Sequence, residues 1–176
     1  RRAEAFAQGY ALWFWKKQDF LNRGHERRVT FNDDSLIAVH VSRYWDSVDE
    51  GRWVVRDGGT FYISEQQFGT PEAIERRGRK TRLTWFLWPR ESRWAVYEPD
   101  RPEKVRFPRE LADFHPHSFE NVTGVGFYVE KGSRTPGVIS VKWNSFEVYA
   151  VVDLPQDGDI HVQTEPCPAG GRSSTE

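Results

Sequence analysis

The sequence predicts an all-β domain, a β-sandwich of antiparallel sheets, and three observations carry that expectation. Short runs of alternating side chains recur along the chain, bounded by Gly, Pro, Asn and Asp clusters. Only one short segment, 71–77, suits a helix, with Thr70 as its cap and Pro71 at the first helical position. Aromatic residues make up 15% of the chain, with eight tryptophans, more than one small core requires.

Residues 10–15 set Tyr10, Leu12 and Phe14 against Ala11, Trp13 and Trp15. A strand apolar on both faces is expected inside a sheet rather than at its edge. A short strand is expected at 28–31. A longer one at 35–42 has Ile37, Val39 and Val41 inward and Ala38, His40 and Ser42 on the other face. Between them, Asn32-Asp33-Asp34 reads as turn chemistry. Strands at 52–56 and 60–64 flank Asp57-Gly58-Gly59, a hairpin signal. Trp53 and Val55 are expected inward there, because the opposite register would bury Arg52 and Arg56.

Strands at 84–88 and 93–97 flank Pro89-Arg90-Glu91-Ser92 and are expected to form a second hairpin. Residues 98–119 read as a proline-rich connection, with 108–114 packed down. Two long strands follow. In the first, Val125, Phe127 and Val129 share a face, with Gly126, Tyr128 and Glu130 opposite. In the second, Ile139, Val141 and Trp143 share a face that Phe146, Val148 and Ala150 continue, after a phase slip at Asn144-Ser145 of the kind a β-bulge produces. The turn formers at 132–137 join them, so the two are expected to close the domain as a pair, with Phe127, Val141 and Phe146 in the core. Residues 159–163 add a last strand. The expected organisation is one domain at 1–163 and a flexible tail at 164–176.

Charge is balanced, at a formal net of −1, so no global field argues for nucleic acid or a membrane surface as partner. Nineteen of the 25 basic residues are arginine, whose planar fork suits carboxylate or sulfate and stacks on rings; a genome rich in arginine codons explains the same count equally well. No run approaches the roughly 18 apolar residues of a membrane helix. The chain has no methionine and no signal peptide, so a piece of a longer precursor is expected. The single cysteine, Cys167, excludes an internal disulfide.

Val125-Gly126-Phe127-Tyr128-Val129 and Phe146-Glu147-Val148-Tyr149, within 121–152, resemble the closing strands of galactose-binding-like jelly-roll modules, common among bacterial carbohydrate-binding modules. The resemblance covers about a fifth of the chain and is a signature of fold rather than of site. It implies a jelly-roll-like sandwich, carbohydrate as ligand and a structural calcium. For calcium, which prefers hard oxygen ligands, the pair offered is Glu147 and Asp153, against ordinary turn chemistry as the alternative.

Arg43-Tyr44-Trp45-Asp46 follows a strand and precedes a polar turn. Its rings offer flat apolar surface to the C–H face of a sugar, and its charged groups bond hydroxyls; the alternative is a tryptophan folded over one end of the sandwich. Trp88 and Trp94 flank a tip that carries Arg90 and Arg93. They suit either a structural ring pair or a glycan or anion site, with Trp88 the more structural of the two. Arg43, Tyr44, Trp45, Arg90, Arg93 and Trp94 are therefore the candidate ligand-binding residues. His115-Pro116-His117 has metal-ligand types but no third ligand nearby. No nucleophile elbow, phosphate loop or paired-carboxylate spacing is present. His40 with Tyr128 or Tyr149 would make a lyase-like group if the fold joined them.

The expected function is non-catalytic binding of a polysaccharide or oligosaccharide, neutral or anionic, by one module of a larger secreted bacterial polysaccharide-active protein, at the cell surface or outside the cell. A small sandwich lyase or glycosidase, and a structural domain packed against a catalytic neighbour, stand as alternatives.

Overall fold

The computed structural model describes residues 2–6, 10–21, 27–43, 48–99, 113–131, 139–140, 142–152, 158–163 and 172–173; side chains are described within 15–18, 21, 27–42, 51–99, 113–129 and 147–152. In chain order the strands are β1 (Arg2–Phe6), β2 (Tyr10–Lys16), β3 (Val29–Thr30), β4 (Leu36–Arg43) and β5 (Val48–Asp57). Then come β6 (Thr60–Gln67), β7 (Ala73–Arg77), β8 (Lys80–Leu87), β9 (Arg93–Tyr97) and β10 (His115–Pro116). The last are β11 (Val122–Lys131), β12 (Ile139–Ser140), β13 (Lys142–Val152), β14 (Gly158–Gln163) and β15 (Arg172–Ser173). One helical turn, α1 (Lys17–Phe20), follows β2.

The expected all-β sandwich is what forms. The first sheet runs β1-β2-β11-β5-β6-β9-β10, and the second runs β14-β13-β4-β8-β7, with β3 also on β13. Every pairing is antiparallel. β2 lies inside its sheet, between β1 and β11, as its two-sided apolar pattern requires. Within the segment expected to be a tail, β15 pairs with β12.

Alternation decides what each strand contributes to the core. From the first sheet come Trp15, Trp53, Val55, Val125, Phe127 and Val129; from the second, Ile37, Val39, Val41, Trp85, Leu87 and Val148. The aromatics interlock, with Trp53 and Phe68 centroids 4.6 Å apart and Trp94 edge-on to Phe119 at 5.0 Å. Val141 lies outside the described residues, as does the side chain of Phe146.

The first sheet has a second apolar face. Val54, Ile63, Ala95, Tyr97 and Tyr128 point away from the sandwich and form a buried cluster with Phe114, against which Phe61 packs. Trp53 and Val55 do face the core, yet Arg52 on the other face is not left in solvent. A bulge sets Arg52 opposite Gln67 and Val54 opposite Ile63. Arg52 Nη1 donates to the Ser64 and Glu65 carbonyls there, at 2.9 and 2.8 Å, while the Ser64 hydroxyl accepts from Trp53 N–H and donates to Gln66 O. The guanidinium is buried beneath Phe114, 5.8 Å from the ring centroid, because the bulge supplies acceptors that offset its desolvation.

Three expectations are corrected. Residues 71–77 form no helix: Ala73–Arg77 is β7, paired with β8 from Ala73↔Thr84 to Arg77↔Lys80. Gly78, at φ 62°, closes the two-residue turn between them, a role that asks for glycine at its first central position. The strands either side of Pro89-Arg90-Glu91-Ser92 are not a hairpin. β8 belongs to the second sheet and β9 to the first, so this segment crosses the sandwich, held by Glu91 N–H and Ser92 Oγ donating to Trp88 O. Likewise β11 and β13 do not pair; they lie in opposite sheets and contribute to the same core, β11 through Phe127 and β13 through Val148. The slip on β13 is real: Trp143 opposes Val41 while Ser145 opposes His40.

Candidate functional site

The outer face of the second sheet carries the chemistry. β4 turns Ile37, Val39 and Val41 into the core, so Ala38, His40 and Ser42 take the other side. Register then selects their neighbours: Thr84 of β8 opposes His40, and both Phe86 of β8 and Glu147 of β13 oppose Ala38. Arg82 lies two residues before Thr84, and Tyr149 two after Glu147, on the same face.

These side chains form a polar network. His40 Nδ1 is 2.8 Å from Thr84 Oγ1, and Tyr149 OH donates to Glu147 Oε2 at 3.1 Å. The same Glu147 oxygen stands 3.6 Å from His40 Nε2, beyond hydrogen-bond reach. His40 Nε2 and Arg82 Nε are both buried without a hydrogen-bond partner. Leaving such an atom unmet costs roughly 1–3 kcal/mol.

Burial, aided by the Arg82 charge, holds the His40 imidazole below its usual pKa; Glu147 and Glu75 oppose this less strongly. Burial together with Glu147 pushes the Tyr149 phenol upward. Near neutral pH the group is therefore a neutral imidazole and an un-ionised phenol meeting one glutamate side chain. Beside it lie Phe86 and Trp88, centroids 6.2 Å apart at 63°. Trp88 is 42% exposed, whereas Trp15, Trp53, Trp85 and Trp94 are buried. It is thus the one described tryptophan with a face in solvent.

A second polar cluster sits at the β5–β6 turn. His117 Nε2 meets Asp57 Oδ2 at 2.7 Å, and Asp57 Oδ1 accepts from Asn121 N–H. Tyr62 stacks on the imidazole at 4.0 Å, and Phe119 meets it edge-on. The Tyr62 phenol is pushed upward by burial and then by Asp57. Among the described residues no nucleophile hydroxyl touches this dyad: Thr123 Oγ1 donates to Gly58 O at 2.6 Å instead. Its job is to clasp 113–121 to the hairpin.

The described residues among those singled out from sequence do not converge. Tyr44 and Trp45 lie outside the described residues, and Arg43 ends β4 with its side chain outside them. Arg90 ties two turns together, donating to Phe31 O at 3.1 Å and lying 3.9 Å from Asp33. Arg93 grips the Phe114 carbonyl through Nε and Nη2, at 3.1 and 2.6 Å, and meets Glu65. Trp94 is a correction: at 2% exposure, with Nε1 donating to Pro89 O, it offers no face for stacking. Trp88 takes the opposite place to the one expected of it.

Glu147 is on the site, where Oε2 accepts from the Tyr149 phenol and faces an imidazole nitrogen. Asp153 lies outside the described residues. Among the described residues no three His, Cys, Asp or Glu side chains gather to hold a metal; His115 is exposed and apart from the dyad's bond to Asp57. Sequence reasoning passed over Arg82, Thr84 and Phe86. Their signal was the strict alternation of 82–88, in which Leu83, Trp85 and Leu87 turn inward and Arg82, Thr84, Phe86 and Trp88 do not.

No protein-family model, no curated protein and no solved structure matches the chain. What fold and site define is a two-sheet antiparallel sandwich with a polar, aromatic-flanked outer face.

Proposed function

We propose that the outer face of the second sheet binds saccharide. The observation that carries this reading is exposed Trp88 against half-buried Phe86, beside a polar network on the same sheet face. A sugar ring suits both parts: C–H groups for the rings, and hydroxyls that donate to the part-exposed Glu147 carboxylate. The likeness of 121–152 to galactose-binding-like modules supports the same reading and extends it to a non-catalytic module of a larger extracellular, polysaccharide-active protein. Affinity electrophoresis through a panel of neutral and anionic polysaccharides tests it. Retardation by at least one, lost in Trp88→Ala, is the expected result; free migration through every gel ends the proposal.

An enzymatic reading has one observation in its favour. Tyr149 OH bonds the Glu147 oxygen that His40 Nε2, far away in sequence, approaches to 3.6 Å, a group able to take and return a proton. Product release from a polysaccharide, abolished by His40→Ala yet kept in His117→Ala, would establish it over simple binding.

A further inference from the structure

Resting on that saccharide reading, we propose that the ligand is an anionic polysaccharide and that the β7–β8 hairpin reads its carboxylate or sulfate groups through Arg77, Lys80 and Arg82. Residues 75–82 hold five basic side chains and one acid, Glu75, in a chain whose formal net charge is −1. The positive charge is therefore concentrated locally. Arg76, Arg77, Arg79 and Lys80 are exposed, and among the described residues none of their side chains has an ion-pair or hydrogen-bond partner. Arg82 Nε is buried and meets no acceptor.

Register assigns these charges to faces. Glu75 opposes Arg82 and Arg77 opposes Lys80, two residues further along both strands. All four thus share the side that carries Thr84, His40 and Phe86. Arg77 and Lys80 sit at the outer end of this face, and Arg82, with Glu75 opposite it, lies between them and the saccharide site. β7 is also the edge of its sheet, and charged side chains protect an open edge from pairing with another chain. Edge protection, however, needs no particular face, whereas three cations here line up with the site. Glu147 stands two strands from β8, about 10 Å by ordinary strand spacing, where it meets hydroxyls rather than the anion.

The test compares polygalacturonate for carboxylate, chondroitin sulfate for carboxylate with sulfate, neutral galactan and duplex DNA, by affinity electrophoresis and titration calorimetry. The wild-type protein is expected to bind at least one anionic polysaccharide and to lose affinity as salt rises. Arg77→Gln with Lys80→Gln, two exposed positions whose change leaves the core intact, is expected to weaken that binding roughly tenfold. Arg82→Gln is expected to weaken it further. Equal binding of galactan and the anionic polymers, unchanged in the double variant, overturns the inference while the saccharide reading stands. Duplex DNA binding as tightly as either polysaccharide also overturns it, since the hairpin would then be a general polyanion surface. No retardation by any polysaccharide overturns both.

Discussion

His117 Nε2 stands 2.7 Å from the Asp57 carboxylate across sixty residues of sequence, and Tyr62 closes over the imidazole at 4.0 Å. Asp57 spends its other oxygen on Asn121 N–H, so one carboxylate ties the β5–β6 turn to both ends of 117–121. His117→Ala and Asp57→Asn are each expected to lower unfolding free energy by about 1–3 kcal/mol, with the double variant costing less than the sum. Urea unfolding measures this. Additive losses would show that the two residues act independently.

Trp88 and Trp94 are six residues apart and opposite in role. Trp94→Ala removes a core ring packed on Phe119 and is expected to cost about 3–5 kcal/mol. Trp88→Ala, at an exposed position, is expected to change stability by less than about 0.5–1 kcal/mol and to weaken saccharide binding instead. Thermal unfolding and affinity electrophoresis on both variants give the comparison; stability loss of equal size in both would contradict the burial difference.

Stability is expected to fall as the solution is acidified through the imidazole range. Burial and Arg82 depress the folded-state pKa of His40 below its unfolded value near 6.5. The unfolded chain then binds more protons between the two values, so stability is fully present above about 6.5 and declines from there until pH drops below the depressed value. His40→Gln should flatten that part of the profile, measured by urea unfolding at a series of pH values. An unchanged slope would sink the assignment.

Gly58 has φ 59° and no heavy atom within 4 Å of where a Cβ would stand. Gly58→Ala is therefore expected to cost about 1–2 kcal/mol from backbone strain alone. Gly59→Ala, with equal space but no positive φ, is expected to cost less. Thermal denaturation of the two variants decides; equal losses would mean that the turn does not depend on a left-handed residue.

The site was legible only in part. His40 was assigned to the non-core face of its strand because alternation is a local property, and that placement stands. The partners of His40 were not legible, because Thr84 and Glu147 reach it through register between strands distant in sequence, set by packing rather than by neighbours. Arg90 and Arg93 illustrate the converse. A tip rich in Arg and Trp looks like a binding loop, yet both arginines serve backbone carbonyls of other segments, Phe31 and Phe114.

Sequence by itself determined the all-β class, which residues of β4 and β11 turn inward, and that Gly58 sits in a tight turn, because alternation and turn chemistry act over a few residues. Tertiary structure alone decided which strands share a sheet. Two apolar strands joined by turn formers satisfy their core faces equally well as a hairpin or as a crossing between sheets. The segment between β8 and β9 crosses, and β11 faces β13 across the core instead of pairing with it. The same freedom turned 73–77 into an edge strand: pairing with β8 supplied backbone hydrogen bonds over its whole length, more than one short isolated helical turn could provide.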